Sequence, residues 1–225
     1  MKIDAVGPTN AERRAQLTRD RVLEAAVEFA DREGIVALSM RRLAQELGVE
    51  AMSLYTHVRS KDDLLDGMVE VIVAEIPIRP DPAGWKASLR GTVLSARTVL
   101  LRHRWAPAVI ETRVTPGPAM LRHYDVVIGI LRQGGFSLDL THHALHLLGS
   151  RMLGFTQDLF DDSTDRDPAE ATSLAEQLGQ AFPYVAEMAL AATHDGALGG
   201  CDDDVEFEFA LDVILDGLER LHDVG

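Results

Sequence analysis

The sequence has a single cysteine, Cys201, among its 225 residues. One cysteine excludes an internal disulfide framework and fits a reducing compartment such as the cytoplasm. Residues 1–18 are polar and lack the apolar segment of a signal peptide. No apolar run approaches the ~20 residues that a membrane-spanning helix needs. We therefore expect a soluble, cytoplasmic protein without a membrane partner.

The sequence is also short of basic residues. It has 22 lysine and arginine residues against 36 aspartate and glutamate residues, which gives a formal net charge of −14. Residues 1–61 hold 10 basic and 9 acidic side chains, whereas residues 62–225 hold 12 basic and 27 acidic ones. Because an acidic surface repels the phosphates of nucleic acid, only the first 61 residues are electrostatically suited to contact it.

Apolar residues recur with helical periodicity, and no convincing alternation of polar and apolar residues indicates a strand. The pattern predicts an all-α fold. One helix is expected at residues 18–32, two short helices within 37–61, and a fourth at 61–76. Pro77, Pro80 and Pro82 then break the chain, and we place a domain boundary there. Further helices are predicted at residues 83–102, 106–113, 118–133, 138–160, 168–192 and 203–222, with Pro183 interrupting the fifth of these.

Residues 37–61 are predicted to form two short helices joined by a tight turn. Ser39 is a suitable N-cap for the first helix, and Gly48 stands where its end needs a residue that tolerates positive φ. Leu54 and Val58 face inward in the second helix, so small, polar and aromatic residues are left on its outer side. Such a surface fits the DNA major groove. A plain helical hairpin has the same layout, so the motif alone leaves both interpretations open.

The flanking segments carry a family resemblance. Thr18-Arg-Asp-Arg-Val-Leu-Glu-Ala-Ala-Val-Glu-Phe-Ala-Asp-Arg-Glu-Gly34, Leu54-Tyr-Thr-His-Val58 and Ser60-Lys-Asp-Asp-Leu-Leu-Asp-Gly-Met68 fix motifs and spacings over four helices. They resemble the DNA-binding domain of TetR-type transcriptional regulators. The composition of residues 1–17, with Gly7, Pro8 and Asn10, predicts a flexible arm. The resemblance implies a three-helix helix-turn-helix DNA-binding domain at 18–61. A larger helical ligand-binding and dimerisation bundle follows at 62–225, with the helix at 61–76 as the link.

The resemblance also implies contacts with a double-stranded DNA operator. Tyr55 and Lys61 resemble phosphate contacts, and Arg41 is the best candidate for a bidentate guanine contact. The expected DNA-binding set is Ser39, Met40, Arg41, Ala51, Met52, Ser53, Tyr55, Thr56, His57 and Lys61. Since the set is poor in amide and guanidinium groups, we expect backbone contacts to supply most of the affinity. Two alternatives stay open: Met52 as a filler of a packing gap, and Arg13 with Arg14 as either phosphate contacts or solvated charges.

Two later segments, from Arg104-Trp105 to Pro118 and Leu131-Arg-Gln-Gly-Gly-Phe-Ser137, resemble the ligand-binding domain of the tetracycline-repressor subgroup. That resemblance implies a small-molecule pocket inside the helical bundle. The candidate lining residues are Trp85, Trp105, Ile110, Arg113, Tyr124, Ile128, Met152, Phe155 and Phe182. For each of them, packing in the core is the alternative. Arg113 in apolar surroundings would suit an anionic or carbonyl-bearing ligand.

Two of the predicted helices have the apolar faces of an oligomer interface. The helix at 138–160 offers Leu140, Ala144, Leu147, Leu148, Met152 and Phe155, and the helix at 203–222 offers Phe207, Leu211, Ile214, Leu215, Leu218 and Leu221. Core packing within one subunit is the alternative. In similar regulators, two equivalent helices per subunit form a four-helix dimer bundle. A two-fold homodimer would also supply the two DNA-binding domains that a palindromic operator requires.

Histidines and a serine raise two further hypotheses. His142, His143 and His146 share one predicted helix and, with Asp139 or Asp158, could ligate Zn²⁺ or Ni²⁺. No His-Glu-x-x-His pattern or cysteine partner accompanies them, and nothing matches the residues that hold the magnesium chelate in the tetracycline repressor. We therefore favour lining or interface histidines, and expect no metal or cofactor. Ser150 lacks the nucleophile elbow of a hydrolase, so we expect no enzyme activity.

These observations predict a one-component repressor that leaves its operator when a small molecule binds its C-terminal domain. The alternative is a ligand-binding or protein-interaction module with weak or lost DNA binding. The sequence names neither the effector nor the operator.

Overall fold

The computed structural model describes residues 17–78, 81–154, 179–191 and 203–224. Within these ranges the chain is helical and contains no strand. The helices are α1 (Arg19–Glu33), α2 (Met40–Leu47), α3 (Ala51–Leu54), α4 (Lys61–Ala74), α5 (Trp85–Arg102), α6 (Ala106–Glu111), α7 (Pro118–Gln133), α8 (Leu138–Leu153), α9 (Pro183–Ala191) and α10 (Asp203–Val224). One compact unit runs to Leu153 and includes the end of the chain from His222, and a second comprises Gly154–Leu221.

The all-α prediction is confirmed, and most helix boundaries fall within two residues of the expected ones. The second helix of the motif is shorter than expected, because the chain leaves α3 after Leu54 and continues as a turn. Pro183 interrupts its helix as expected: Phe182 is not helical and α9 begins at the proline. The predicted arm at 1–17, apart from Leu17, and the connectors at 161–167 and 196–202 lie outside the described residues.

Three helices begin at a serine or threonine whose side chain caps the first turn. The hydroxyls of Thr18, Ser39 and Ser60 accept hydrogen bonds from the backbone N–H groups of Arg21, Arg42 and Asp63 at 3.2, 3.2 and 3.1 Å. Each cap satisfies one of the amide groups that have no partner within the helix. Local sequence therefore fixes where α1, α2 and α4 start.

The turn between α2 and α3 depends on Gly48. Its φ of +64° lies in the left-handed region, which a residue without a Cβ adopts without strain. The backbone N–H of Val49 then donates to the carbonyl of Ala44 at 3.0 Å. Glu50 occupies the N-cap position of α3, although its side chain makes no capping hydrogen bond.

One apolar core joins the first three helices to the helices that follow. Its fully buried members include Val22, Leu38, Leu43, Leu54, Val58, Leu64, Met68 and Ile72. Helix α4 packs closely on α1 at Gly67, where an added Cβ would lie 2.5 Å from Leu23 Cδ2. The core continues into α5, α6 and the start of α7. Helix α4 is therefore packed against both the N-terminal helices and the bundle.

Of the residues predicted at a dimer interface, some are buried within the chain, whereas Leu147 and Leu221 are exposed. In α10, Phe207, Leu211, Leu215 and Leu218 are buried, whereas Val205, Phe209 and Val213 form an exposed apolar stripe at four-residue spacing. In α8, Ala144 and Leu148 are buried and Leu147 is exposed. Helical periodicity correctly predicted that these segments are helices. Both stripes of α10 are apolar, so the sequence does not show which of them is buried within the chain and which is exposed. Phe155 lies outside the described residues.

No helix in the described ranges is both long enough and apolar enough to span a membrane.

Candidate nucleic-acid interface and internal cavity

We call α1 to α3, with the turn that leads to Lys61, the reading head. The residues predicted to contact DNA differ in their exposure there. Arg41, Met52, Tyr55, Thr56 and Lys61 are exposed, with Met52 at 71%. Ser39, Ala51 and His57 are half-buried. The exposed members include two cations, a phenol and a hydroxyl on one short stretch of chain, which is the chemistry that phosphate and base-edge contacts use.

Met40 and Ser53 do not lie on this surface. Their side chains are only 9% and 7% exposed, since Met40 packs into the core of the head and Ser53 adjoins the inward-facing Leu54. The Ser53 carbonyl accepts a hydrogen bond from Thr56 Oγ1 at 2.7 Å. The expectation that both side chains contact DNA is therefore at odds with their placement.

Adjacent arginines of α2 have different surroundings. Arg42 donates to the carbonyl of Ala37 at 3.2 Å and to Glu33 at 3.4 Å, and its guanidinium lies 4.8 Å from the centroid of the Phe29 ring. Arg41 makes no hydrogen bond or ion pair with any described residue. Arg42 therefore holds the head together, while Arg41 is available to a partner.

A polar clamp holds the segment between α3 and α4. Arg19 donates to the carbonyl of His57 at 2.8 Å and to Asp63 Oδ1 at 2.9 Å. Asp63 Oδ2 also accepts from the backbone N–H of Arg59 at 2.7 Å. These bonds, led by the one from Arg19, lower the pKa of Asp63 from an ordinary 3.8 to about 2. The clamp ties α1, the turn and α4 into one arrangement.

Arg59 was not among the residues predicted to contact DNA. Its side chain is 91% exposed and touches only the edge of the clamp, with Nε 3.4 Å from Asp63 Oδ2. It is a third cation on the surface that carries Tyr55 and Lys61. Its position in the chain between His57 and Lys61 was the available signal.

Trp105, which we expected to line a pocket, belongs instead to a junction between the head and α5–α6. Its indole N–H donates to Asp31 Oδ1 at 2.7 Å. His103 Nδ1 lies 2.9 Å from the same carboxylate, and its Nε2 is 3.5 Å from Glu75 at the end of α4. Asp31 lies more than 70 residues away in sequence, so local patterns could not reveal the pairing.

Arg113 also lies away from any ligand pocket found in the described residues. Its guanidinium is 3.4 Å from Asp62 and 3.2 Å from Asp66, both on α4. These two carboxylates hold the Arg113 side chain after α6 and balance its charge. An anionic ligand is therefore no longer expected beside it.

Glu70 makes a second connection between α4 and the bundle. Its carboxylate accepts hydrogen bonds from the backbone N–H groups of Ala119 at 2.6 Å and Met120 at 3.4 Å, in the first turn of α7. Gly117, at the N-cap of α7, has no side chain to perform this role, and a Cβ there would collide with Glu70. A residue of α4 thus caps α7 and complements the positive end of its helix dipole.

Next to this cap lies an apolar cavity. Its volume is about 110 Å³, counted as the space that the centres of water molecules can occupy. One water needs about 10–15 Å³ by that measure, so the cavity is large enough for an organic ligand. Its walls are Val73, Ile76, Thr92, Val93, Ala96, Leu100, Ile110, Met120, His123, Tyr124, Val127, Leu145, Leu148, Gly149, Met152 and Leu153.

Three of the nine predicted lining residues, Ile110, Tyr124 and Met152, do line this cavity. Trp85 lines a separate open groove with Ser88 and Gln133, and its ring packs edge-on against Phe136 at a centroid distance of 4.6 Å.

Ile128 and Phe182 are not among the residues that line the cavity. Ile128 is half-buried elsewhere on α7, and Phe182 is exposed in the second compact unit. Phe155 is outside the described residues. The available signal was the apolar pattern of α4 and the residues just after it, which contribute Val73 and Ile76 to the wall.

The histidines of α8 lie close together but on the surface. The ring centroids of His142 and His146 are 4.6 Å apart, and His143 Nε2 lies 3.6 Å from Asp139. In the described ranges, no three His, Cys, Asp or Glu side chains are grouped so that they could hold a metal. Ser150 Oγ donates to the carbonyl of His146 at 2.9 Å.

Comparison with known proteins matches both parts of the chain. The family model described as bacterial regulatory proteins of the tetR family covers residues 22–68. The model described as the tetracyclin repressor-like C-terminal domain covers residues 77–222. The two matches meet between α4 and α5, on either side of the proline-rich connection.

Individual relatives agree with these matches. A transcriptional regulator of Saccharopolyspora erythraea is 40% identical over 122 residues, which are 53% of this chain and 51% of that protein, so the chain spans about half of its length. The repressor DrrR1 of Streptomyces coeruleorubidus is 32% identical over 215 residues, 91% of this chain and 78% of its own.

A solved structure is similar over almost the whole chain. ActR of Streptomyces coelicolor in complex with actinorhodin has a TM-score of 0.69 and 30% identity, and the match covers 92% of this chain and 98% of ActR. With both family models matched and a relative above 30% identity over most of its length, the chain belongs to the TetR family of bacterial regulatory proteins.

Proposed function

We propose that the protein is a one-component, ligand-responsive transcriptional repressor that binds an operator through the reading head and releases it when a small molecule occupies the cavity. One observation carries this proposal: α4 belongs to both regions. Its first turn holds Asp63 of the clamp in the head, its last turn places Val73 in the wall of the cavity, and Ile76 follows in that wall two residues beyond the helix.

In this proposal, the exposed residues of the head contact the operator. Tyr55 and Lys61 bind phosphates, Arg41 reaches a base edge or phosphate, and Met52 and Thr56 lie against the bases. Arg59 adds a further phosphate contact. Ser39, Ala51 and His57 line the edge of the surface. The buried side chains of Met40 and Ser53 support it from behind.

The ligand acts through the differential affinity of the cavity for two positions of α4. Three contacts support a coupling by this route: the α4 residues in the cavity wall, the Glu70 cap on α7, and the ion pairs of Arg113 with Asp62 and Asp66. A ligand that displaces α7 or α4 would alter all of them. The head would then move with α4, since the Arg19 clamp joins them.

The proposal includes a two-fold homodimer, because a palindromic operator takes two heads. The exposed stripe of Val205, Phe209 and Val213 on α10 supports it, since apolar side chains at this spacing are suited to a partner helix. We also propose that the residues up to 61 form the DNA-binding domain, that 62–225 form the ligand-binding and dimerisation domain, and that the protein works in the cytoplasm without enzyme activity.

A titration of fluorescent DNA tests the first half of the proposal. Duplexes that tile the promoter region beside its own coding sequence are titrated with the protein at several salt concentrations. We expect one duplex to bind, with an affinity that falls steeply as salt rises. Absence of salt-dependent binding to every duplex would instead favour a ligand-binding or protein-interaction module.

A screen tests the second half. A library of small molecules is scanned for compounds that raise the melting temperature, and each hit is added to the protein–operator complex. We expect hits to dissociate the complex. A set of hits that bind in the cavity and leave operator affinity unchanged would contradict ligand-responsive release. DrrR1 and ActR are a repressor and an actinorhodin-bound regulator by their names, and that likeness supports the search for an organic effector.

A further inference from the structure

The described walls of the cavity are almost entirely apolar. Among the described lining residues, none is an aspartate, glutamate, lysine or arginine. The polar side chains that reach the walls are those of Thr92, His123 and Tyr124. The Thr92 hydroxyl already donates to the carbonyl of Ser88 at 2.8 Å. A charged group placed here would lose its hydration and find no counter-charge among the described lining residues, which is strongly unfavourable.

His123 differs from the other residues of the wall because it has a buried polar atom without a partner among the described residues. Its Nδ1 is buried and has no hydrogen-bond partner in the described part of the chain. Because water does not reach this atom, hydration cannot replace the missing bond, and a buried polar atom left unpaired is costly. Because His123 lines the cavity, a molecule bound there lies beside its imidazole.

His123 is uncharged at pH 7, like the other described residues of the wall. Burial lowers the pKa of His123 from its ordinary 6.5, so the imidazole is neutral at pH 7. A neutral imidazole offers a hydrogen bond and no charge, and therefore provides no ion pair for a carboxylate or phosphate.

We propose that the effector of this protein is an uncharged, largely apolar molecule with a hydrogen-bonding group such as a hydroxyl or carbonyl, and that His123 is the residue that recognises this group. The inference rests on the proposed function only in taking the cavity as the effector site. It reverses the anionic ligand that Arg113 suggested, since Arg113 is paired with two carboxylates of α4.

Four naphthalene probes of nearly equal size test the inference without DNA: naphthalene, 2-naphthol, 2-naphthoate and 2-naphthylmethylammonium. Dissociation constants are measured at pH 7 by calorimetry on the full chain. We expect 2-naphthol to bind at least about tenfold more tightly than either ion, because the ions lose hydration without compensation. Equal or tighter binding of 2-naphthoate or of the ammonium probe would overturn the proposal, and so would failure of both naphthalene and 2-naphthol to bind.

Variants then locate the binding and the hydrogen bond. His123→Phe keeps the ring volume and removes the polar atoms, so it should weaken 2-naphthol by about fivefold and change naphthalene by less than about twofold. His142→Phe is the matched control, since His142 is exposed on α8 and outside the cavity walls. Ala96→Leu, which adds volume to the wall, should weaken both neutral probes. A His123→Phe variant that binds naphthalene and 2-naphthol like the wild type would refute the role of His123.

The outcomes separate this inference from the proposed function. If the neutral probes bind as expected but the operator complex does not respond to them or to any related compound, the cavity chemistry stands and ligand-responsive release fails. If a charged compound binds in the cavity and releases the operator, the repressor function stands and the present inference fails.

Discussion

The reading head and the cavity are neighbours along α4, yet they are held by opposite kinds of contact. In the head, the segment that carries Tyr55 is fixed by hydrogen bonds that Arg19 donates to the His57 carbonyl and to the Asp63 carboxylate. Around the cavity, the walls meet through apolar side chains, with His123 as an unpaired exception. The polar clamp holds the head in a fixed conformation that suits contact with the charged backbone of DNA. The apolar walls enclose a space that suits an uncharged molecule. The contrast shows how one helix serves two sites that share no chemistry.

The largest expected effect comes from enlarging the cavity. Leu148 is buried in its wall, so Leu148→Ala should lower the free energy of unfolding by about 2–5 kcal/mol, measured by urea denaturation. Met52→Ala is the control from the head: it should change stability by no more than about 0.5 kcal/mol, because that side chain is exposed. Similar losses in the two variants would mean that the regions do not differ as described.

The next largest effect is expected from the two arginines of α2, whose replacement should change different properties. Arg41→Ala should weaken operator binding by about 1–3 kcal/mol, since Arg41 has no partner among the described residues and is free to contact DNA. Arg42→Ala should mainly lower stability, because Arg42 bonds to Ala37 and Glu33 and lies over Phe29. Fluorescence anisotropy and thermal melting measure the two effects. An Arg41→Ala variant with unchanged operator affinity would exclude the assigned contact.

A smaller effect is expected at the cap that joins α4 to α7. Glu70→Ala should destabilise the protein by about 1 kcal/mol, because two amides of α7 lose their acceptor. Glu70→Gln keeps one acceptor oxygen and should lose about half as much. Hydrogen exchange at the amides of Ala119 and Met120 reports the same change. Unaltered protection there in Glu70→Ala would show that the cap does not hold α7.

The last effect is a dependence of stability on pH. The pKa of Asp63 falls from 3.8 to about 2 on folding, so its ionised form contributes stability in full above about pH 4 and loses it as the pH falls toward 2. Asp63→Asn removes this titration. The difference in unfolding free energy between wild type and variant, measured by urea denaturation, should shrink from pH 5 to pH 3. A constant difference would contradict the lowered pKa.

Local sequence was enough for much of the head. Ser39 and Gly48 define the ends of α2 through a side-chain cap and a left-handed backbone, and both act within a few residues of the groups that they satisfy. Leu54 and Val58 were correctly placed inside by helical periodicity. Periodicity placed Ser53 outward and resemblance placed Met40 at the DNA surface, yet both are buried, because the side on which a short helix is buried depends on what packs against it.

The cavity was much harder to predict. Ile110, Tyr124 and Met152 were found through resemblance, whereas Trp105 and Arg113 were assigned to a pocket that they do not line. Each is held by an acidic side chain distant in sequence: Asp31 for Trp105, and Asp62 and Asp66 for Arg113. Nothing near a tryptophan or arginine in the sequence says which distant carboxylate will bind it.

The sequence by itself determined the helical fold, the helix-turn-helix with its caps and turn, the confinement of acidity to the region after residue 61, and the family. These features depend on contacts over a few residues or on simple sums of charge. The tertiary structure decided which cations have no partner among the described residues, and which face of α10 is exposed. It also decided that α4 shares its surface between the head and a cavity whose described walls carry no charged side chain. Those properties arise only when helices far apart in the chain pack together, because packing determines which polar groups keep their water and which must find a partner.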